Sequence, residues 1–221
     1  LGPALEEQLA EHGLTLRHFP QSFEYSSLGG WIATRAGGHF ATVLTHIDDL
    51  VESVRAITPS GAWESRRLPG SGAGPSPDRM LIGSEGILGV ITEAWVRVRL
   101  RPTHKLSCGV AFDSFAAGVA AVRELAQSGL NPANCRLLDP DEAALTQAAP
   151  PGKAMLVLGF ESAHPPVDEP MRIAIEAARD HGGEAGEVRS GSGGGDDASG
   201  AWRQAFLSAP YLRDTLVACG V

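Results

Sequence analysis

The sequence predicts an α+β fold made of two successive units, and three observations support this prediction. Short stretches that alternate between apolar and polar residues, as strands do, are interspersed with stretches that have helical spacing. Two loops rich in glycine and hydroxyl residues lie within the first hundred residues, and the composition changes after Pro102. We therefore expect one unit over residues 1–102 and a second over residues 103–221.

The charge and cysteine content exclude several classes of protein. The 221 residues carry 18 basic and 26 acidic side chains, a formal net charge of −8, which disfavours non-specific binding to nucleic acid or to an anionic membrane. Apolar runs stay well short of the ~20 residues that a membrane-spanning helix needs. The three cysteines are widely spaced and predict free thiols in a reducing compartment such as the cytoplasm, because neither a disulfide framework nor a metal site has such spacing.

The first unit opens with a predicted helix and strand. Residues 2–12 place two leucines on one face and a proline in the first turn, and Gly13 is a stop signal. A strand over residues 14–16 is expected to lead out of this helix.

A stretch that we name the first glycine loop follows, at residues 20–38. Glycine pairs near its middle and at its end remove side chains where the backbone would approach a ligand closely. Hydroxyl groups and unblocked backbone amides are a common means of holding phosphate. A glycine-rich turn between two core elements explains the same pattern, so this stretch alone does not decide between a structural and a ligand-binding role.

A hairpin is predicted next. Residues 51–57 alternate as a half-exposed strand, residues 58–61 have the composition of a turn, and residues 62–65 are expected to return as the partner strand. Residues 68–77 are dense in glycine, proline and serine, which predicts a loop.

The second glycine loop, residues 83–93, follows a predicted short helix and enters a strand that alternates through residues 95–100. Two loops of this kind in one unit favour a single extended ligand. The interpretation of the first glycine loop as a ligand-binding segment gains support from this second loop.

Together these stretches resemble the FAD-binding domain of the vanillyl-alcohol oxidase (PCMH-type) superfamily, and within it the alkyldihydroxyacetonephosphate synthase (alkylglycerone-phosphate synthase) family. The motifs that carry the resemblance occur in the order of that family: SFEYSSLGGWIATRAGG (22–38), HIDDLV (46–51), ITPSG (57–61), SGAGPSPDR (71–79) and GSEGILGVITEA (83–94). The resemblance continues through NCRLLD (134–139) and APYLRD (209–214), so that it covers most of the chain.

The resemblance implies the C-terminal half of an FAD-binding PCMH-type domain over residues 1–102, followed by the N-terminal part of an α+β substrate or cap domain over residues 103–221. It implies FAD as cofactor, a small anionic substrate, and the exchange of an acyl for an alkyl group on dihydroxyacetone phosphate through a flavin adduct, a step of ether lipid synthesis. Oxidase-like relatives instead take hydride from a 2-hydroxy acid or an alcohol. A non-catalytic remnant of a flavin domain is the alternative of another class, and a homodimer is left open.

The resemblance also implies site residues. Contacts to FAD are expected from the backbone of the two glycine loops, at Gln21, Ser22, Phe23, Glu24, Tyr25, Ser26, Ser27, Gly29, Gly30, Thr34, Arg35, Ala36, Gly37, Glu85, Gly86, Ile87, Leu88, Gly89, Val90 and Ile91. Arg136 is implied to lie near the active site and Arg213 to contact the phosphate-bearing substrate, for which a guanidinium is well suited. Ion pairs with nearby carboxylates are the structural alternative for both arginines.

Histidine does not form a metal site in this pattern. His39 and His46 lie nearest the glycine loops, where one of them would help to hold the flavin ring, but a surface or core histidine is the commoner role for each because no ligand spacing links them. We therefore predict no metal site.

The second unit is predicted to alternate strands and helices. Strands are expected at residues 106–112, 134–138 and 154–160, and helices after Ser114 and over residues 171–180. The first of these helices would bury Phe115, Val119, Val122 and Leu125 on one face. Residues 190–200 are of low complexity and are expected to be mobile, and residues 202–221 are expected to be helical apart from Pro210.

Some pieces of a complete flavoenzyme of this kind are not found in these residues. Members of the superfamily carry upstream another half of the FAD domain with a glycine-rich pyrophosphate loop, and synthase-like members carry downstream a tyrosine and a histidine cluster. Tyr25 and Tyr211 are the only tyrosines, and neither lies in a matching motif. We therefore expect the chain to be a fragment of a longer enzyme and to be inactive alone.

Overall fold

A computed structural model describes residues 1–40, 43, 46–66, 74–191 and 204–220 of the chain. The chain divides into two compact units, Leu1–Arg101 and Pro102–Val221. Among the described residues, no helix is both long enough and apolar enough to cross a membrane.

The first unit combines short helices with antiparallel strands. Its helices are α1 (Gly2–Ala10), α2 (Leu28–Thr34) and α3 (Asp78–Leu81), and a 3₁₀ turn spans Ile47–Asp49. Its strands are β1 (Leu14–Thr15), β2 (Val51–Thr58), β3 (Gly61–Glu64), β4 (Val90–Val96) and β5 (Arg99–Leu100). Strand β2 lies between β3 and β4 in one antiparallel sheet, and β1 pairs with β5 in a second.

The core of the first unit lies between α2 and the three-stranded sheet. Trp31 and Ile32 of α2 are buried together with Val54 and Ala56 of β2. Helix α2 begins at this point because Ser27 caps it, with the Ser27 hydroxyl accepting a hydrogen bond from the amide of Gly30 at 3.2 Å. The helix therefore directs the side chains of Trp31 and Ile32 into the core, and its two glycines lie away from the core.

The predictions for the first unit are mostly confirmed, with one error. Helix α1, strand β1, the hairpin β2–β3 and the short helix α3 lie where the sequence placed them. The single strand expected over residues 95–100 was wrong, because β4 ends at Val96 and β5 pairs with β1 instead. The chain leaves the sheet where the amide of Arg97 donates to the carbonyl oxygen of Leu50 at 2.7 Å. Most of the loop expected over residues 68–77 falls outside the described residues.

The second unit is an antiparallel sheet packed against helices. Its helices are α4 (Phe115–Gln127), α5 (Pro140–Leu145), α6 (Asp168–Asp180), α7 (204–208) and α8 (Arg213–Ala218), with a 3₁₀ turn at Ala209–Leu212. Its strands are β6 (His104–Phe112), β7 (Asn134–Leu138), β8 (Ala154–Ser162), β9 (Glu184–Ala185) and β10 (Arg189–Ser190). The strand order is β10-β6-β8-β7, and β9 also pairs with β6.

The two faces of this sheet bury different clusters. Alternate residues of β8 point to opposite faces, so Leu156 and Leu158 pack with α4 and α6, whereas Met155 and Val157 pack with α5 and Phe206. Both faces of β8 are therefore buried. This explains why the sequence of the strand is a nearly continuous apolar run rather than an alternating one.

The predicted apolar face of α4 was wrong in part. Phe115 and Val119 are 44% and 47% exposed, whereas Gly118, Ala121 and Leu125 are buried. Small residues face the sheet because α4 approaches it closely: a Cβ atom added to Gly118 would lie 2.6 Å from a methyl group of the β7 leucine beneath it. The close approach, rather than hydrophobicity, determines which stripe of α4 is buried.

The other elements of the second unit either lie where the sequence predicts them or were not predicted. The strands expected at residues 106–112, 134–138 and 154–160 are present as β6, β7 and β8, and α6 begins three residues before the predicted start. Helix α5 was not predicted, although Asp139 caps it by accepting a hydrogen bond from the amide of Glu142 at 2.8 Å. Most of the stretch at residues 190–200 falls outside the described residues, whereas residues 204–218 are helical or 3₁₀ as expected.

Candidate functional site

The structure brings the two glycine loops together. The amides of Gly83 and Glu85, in the second loop, donate to the carbonyl oxygens of Ile32 and Ala33 in α2, each at 2.9 Å. The bond to Ala33 satisfies a carbonyl group at the end of the helix, where the last turn lacks intrahelical partners, whereas the carbonyl oxygen of Ile32 also accepts from the amide of Arg35 at 3.3 Å. Residues that the sequence predicts to contact one ligand from two separate loops therefore lie side by side.

Some glycines of the site are explained by packing within the chain, and others are not. A Cβ atom on Gly89 would lie 2.5 Å from a carbonyl oxygen of β2, so this glycine is required by the fold. On Gly29 a Cβ atom would meet only a carbonyl oxygen of β4 at 3.7 Å, and on Gly30 only the hydroxyl of Ser27 at 3.4 Å, among the described atoms. The space above the first turn of α2 is thus open for close approach by a ligand.

Two apolar side chains of the second glycine loop are largely exposed. Ile87 is 82% exposed and Val90 is 68% exposed. Exposed apolar side chains within a glycine-rich loop are typical of a site that a ligand or partner covers.

The turn that precedes α2 is tied to the core by hydrogen bonds. The indole Nε1 of Trp31 donates to Oγ of Ser26 at 2.6 Å, and that hydroxyl donates to the carbonyl oxygen of Ser22 at 2.6 Å. Gln21, Glu24 and Tyr25 are exposed on the outside of the turn. The turn therefore has an anchored inner side and an open outer side.

The side chain of Arg35 forms an ion pair within the protein. Arg35 follows α2 in the left-handed conformation, with φ of 55°, and its Nε lies 3.4 Å from a carboxylate oxygen of Asp48. Nη1 of Arg79 lies 2.5 Å from the same oxygen. Possible metal-ligating atoms lie within 4.8 Å of one another in His46, Asp48 and Asp49. The guanidinium groups of Arg35 and Arg79, however, already neutralise the Asp48 carboxylate.

A buried histidine that the sequence analysis did not single out lies beneath the first glycine loop. His18 is 2% exposed, its ring centroid is 5.5 Å from that of Trp31, and its Nε2 has no hydrogen-bond partner among the described residues. Burial, with the nearby charge of His46, lowers the pKa of His18 to about 4. The position of His18 shortly after strand β1 was a signal in the sequence, but a single histidine in a sequence does not indicate whether it is buried.

The two histidines that were singled out have different environments. His39 is buried, 5% exposed, and its amide donates to the carbonyl oxygen of Phe19 at 2.8 Å. His46 is exposed, and its amide donates to a carboxylate oxygen of Asp49 at 3.2 Å.

The two arginines of the second unit differ in environment. Arg136 is half-buried on β7, and its guanidinium lies 5.7 Å from the ring centroid of Phe206 in α7. Burial lowers the pKa of Arg136, whereas the charge of Glu142 raises it. Arg213 is exposed at the first position of α8.

Comparison with known proteins gives consistent matches for both units. Residues 1–65 match the FAD binding domain family, and residues 101–218 match the family described as FAD linked oxidases, C-terminal domain. The alkyldihydroxyacetonephosphate synthase of Dictyostelium discoideum is 41% identical over 153 residues, which cover 69% of this chain and 25% of that protein. An uncharacterized FAD-linked oxidoreductase of Escherichia coli K12, YgcU, is 34% identical over 140 residues, 62% of this chain and 29% of that protein.

Solved structures give the same result. A structure of alkyldihydroxyacetonephosphate synthase superposes with a TM-score of 0.81 at 30% sequence identity, covering 98% of this chain and 42% of that chain. The chain thus matches about a quarter of the length of the synthase relative and less than half of the solved structure. Because the match to the FAD linked oxidases spans residues 101–218, more than half of the chain, and adjoins an FAD binding domain match, this chain belongs to the FAD-linked oxidase family of PCMH-type flavoproteins.

Proposed function

We propose that this chain forms part of an FAD-dependent enzyme of the alkyldihydroxyacetonephosphate synthase type. Residues 1–102 would supply the C-terminal half of its FAD-binding domain, and residues 103–221 the N-terminal part of its cap domain. The observation that carries the proposal is the pairing of the two glycine loops beside Gly29 and Gly30, whose Cβ positions are open. Since no contact among the described residues requires glycine at these two positions, a ligand that approaches the backbone is the better reason for them.

The residues present fit FAD in chemistry as well as in space. The backbone of residues 21–27, 34–37 and 85–91 would hold the cofactor, and the exposed side chains of Ile87 and Val90 would lose their contact with water against it. Bound FAD would supply the electron-accepting ring system that the protein positions and polarises. The three cysteines form no disulfide with one another within the described part of the chain, which supports a reducing compartment such as the cytoplasm.

Colour and cofactor content test this proposal. The longer protein that contains this chain should purify yellow and release one equivalent of FAD on denaturation, and Gly30→Val should abolish that retention. A colourless protein without affinity for added FAD would contradict the proposal and favour a non-catalytic remnant.

For the substrate, we propose that Arg213 binds an anionic group, such as a phosphate, and that Arg136 lies near the reacting centre. The net charge of −8 means that an anionic substrate is repelled by the average surface and needs a local positive site. Arg213 is exposed and so accessible to such a group. The planar fork of arginine binds phosphate in a two-point contact that lysine does not reproduce.

Steady-state kinetics on the longer enzyme check the role of Arg213. We expect Arg213→Ala to raise KM for an anionic substrate by the equivalent of roughly 1.5 to 3 kcal/mol, the usual value of a charge-assisted hydrogen bond. Arg213→Lys should keep the charge and still weaken binding, and the flavin content should not change in either variant. Unaltered kinetics in Arg213→Ala would leave this residue on the surface with no part in substrate binding.

A second candidate is an FAD-linked oxidoreductase, which the similarity to YgcU favours; we propose a 2-hydroxy acid or an alcohol as its substrate. The two activities differ in electron balance, because oxidation of a hydroxy acid reduces the flavin, whereas acyl-to-alkyl exchange has no net redox change. Anaerobic addition of each substrate class, followed at the visible flavin absorption, distinguishes them. Lasting bleaching by a 2-hydroxy acid would favour the oxidoreductase.

A further inference from the structure

We infer that Trp31 is a positioning residue for the flavin, and that it acts through Ser26 by locking the turn of the first glycine loop to helix α2. This inference rests on the proposed function, since the turn and α2 are the two segments of the loop that would contact FAD.

The contact itself is short and sheltered. Trp31 is 2% exposed, and its Nε1 donates to Oγ of Ser26 at 2.6 Å. The Ser26 hydroxyl donates in turn to the carbonyl oxygen of Ser22 at 2.6 Å and accepts from the Ser22 hydroxyl at 3.0 Å. One serine side chain thus links an indole in the core to both ends of the turn.

The indole is held in a fixed orientation by its neighbours. The ring of Phe23 stacks on Trp31 with a centroid distance of 5.9 Å and an interplanar angle of 19°. On the same indole His18 packs with a centroid distance of 5.5 Å and an angle of 60°. A side chain restrained by two rings presents its N–H group in one direction, which is the property that a positioning group needs.

The position of Trp31 in the sequence explains why this link matters. Trp31 directly follows Gly29 and Gly30 in α2, the glycines whose Cβ positions are open. The backbone bonds within the turn, such as that from the amide of Tyr25 to the carbonyl oxygen of Ser22 at 3.1 Å, set the internal shape of the turn. The bond from Trp31 to Ser26 adds a side-chain link between that turn and α2, beside the backbone bond from the amide of Trp31 to the carbonyl oxygen of Ser27 at 2.9 Å.

Variants of both partners in the longer flavoprotein test the inference. Trp31→Phe keeps an aromatic ring but removes the N–H donor together with one ring of the indole. Ser26→Ala removes the acceptor without changing the aromatic packing. We expect each to weaken FAD binding about twofold to tenfold, the range for one lost hydrogen bond. Because the two groups share one contact, the loss of affinity in the double variant should be smaller than the sum of the two single losses, although Ser26→Ala also removes the hydrogen bonds with Ser22. Ser26→Thr keeps a hydroxyl and should restore the affinity.

Trp63→Phe is the matched control, because Trp63 packs against the same core, is only partly buried, and lies outside the glycine loops. Fluorescence titration of the apoprotein with FAD gives the affinity, the visible spectrum of bound flavin reports its environment, and thermal unfolding of the apoprotein reports stability. We expect Trp63→Phe to leave the affinity and spectrum unchanged. If Trp31→Phe proves too unstable to purify, Ser26→Ala and its rescue by Ser26→Thr still decide the matter.

The outcomes separate this inference from the proposed function. Suppose that the wild-type protein binds FAD. Equal binding by Ser26→Ala, or losses of affinity that add in the double variant, would then overturn the role of Trp31 and leave the proposed function standing. Wild-type protein with no affinity for FAD would overturn both. Loss of affinity in Trp63→Phe to the same extent would also overturn the inference, because the effect would then be one of general core packing.

Discussion

Replacing Gly30 by alanine should change fold stability and cofactor binding in opposite directions. Gly30 lies within α2, is exposed, and would place a new Cβ atom 3.4 Å from the Ser27 hydroxyl with no other described atom within 4 Å. Glycine inside a helix is less favourable than alanine by roughly 0.5 to 1 kcal/mol. We therefore expect Gly30→Ala to raise the free energy of unfolding of the apoprotein by up to about 1 kcal/mol, reduced by the close contact with Ser27.

The same methyl group occupies the space that we assign to FAD. Extra volume in a closely packed contact costs typically 1 to 3 kcal/mol, so FAD should bind to Gly30→Ala about five-fold to 150-fold more weakly. Gly30→Val adds a larger, branched side chain and should abolish retention of the cofactor while leaving much of the fold intact.

Thermal unfolding of the apoprotein and titration with FAD measure the two effects on the same samples. Gly118→Ala in α4 is the matched control, because its Cβ atom would lie 2.6 Å from a leucine methyl group, so it should lower stability and leave FAD affinity unchanged. Unchanged FAD affinity in Gly30→Ala would refute the assignment of this surface to the cofactor. A fall in apoprotein stability would refute the argument that the Cβ position is open.

Three further predictions concern stability. Because His18 is buried with its pKa lowered to about 4 from 6.5, the unfolded chain takes up the proton first as pH falls, so stability that is complete above pH 6.5 should be lost progressively towards pH 4. The loss in the free energy of unfolding should reach about 3 kcal/mol, at ~1.4 kcal/mol per pH unit. Urea unfolding at pH 7 and pH 4.5 checks this loss, and His18→Gln should reduce the difference in stability between the two pH values. Glu6→Ala should lower the free energy of unfolding by roughly 2 to 4 kcal/mol, because the Glu6 carboxylate accepts hydrogen bonds from the Thr15 hydroxyl at 2.7 Å and from the amides of Leu16 and Arg17. Glu7 is exposed, so the control Glu7→Ala should change the free energy of unfolding by less than about 0.5 kcal/mol. Ser53→Ala should be neutral or stabilising by about 1 kcal/mol in the same assay, since the buried Ser53 hydroxyl has no hydrogen-bond partner in the part of the chain that the structure describes. A clear loss of stability would contradict that description.

Elements that have local signals were predictable from the sequence. Ser114 caps α4 by accepting a hydrogen bond from the amide of Ala117 at 3.2 Å, and this serine was the start signal read from the sequence. The turn between β2 and β3 closes with the Thr58 hydroxyl donating to the carbonyl oxygen of Gly61 at 2.9 Å, as the turn composition indicated. In both cases the groups that stop or start the element lie within four residues of one another.

Features that depend on distant partners were not predictable in this way. The break between β4 and β5 depends on Leu50 and on strand β1, which are about 50 and 85 residues away in sequence. The buried stripe of α4 depends on the distance between that helix and β7, which the side-chain pattern of α4 does not contain. Likewise, the burial of His18 becomes visible only when Trp31 and Gly38 lie against it.

Arg35 shows how the structure sharpens the prediction for the site. The resemblance places this residue among the FAD contacts, yet its side chain joins the end of α2 to Asp48 and donates from Nη2 to the carbonyl oxygen of Arg79 at 3.4 Å. A guanidinium used in this way contributes little charge to a ligand. The residue also packs closely against the second glycine loop, because a Cβ atom on Gly83 would lie 3.4 Å from the Cβ atom of Arg35. Any contact from Arg35 to FAD is therefore expected from its backbone, and its side chain is expected to act on the site by holding the end of α2 to Asp48 and to the backbone of Arg79.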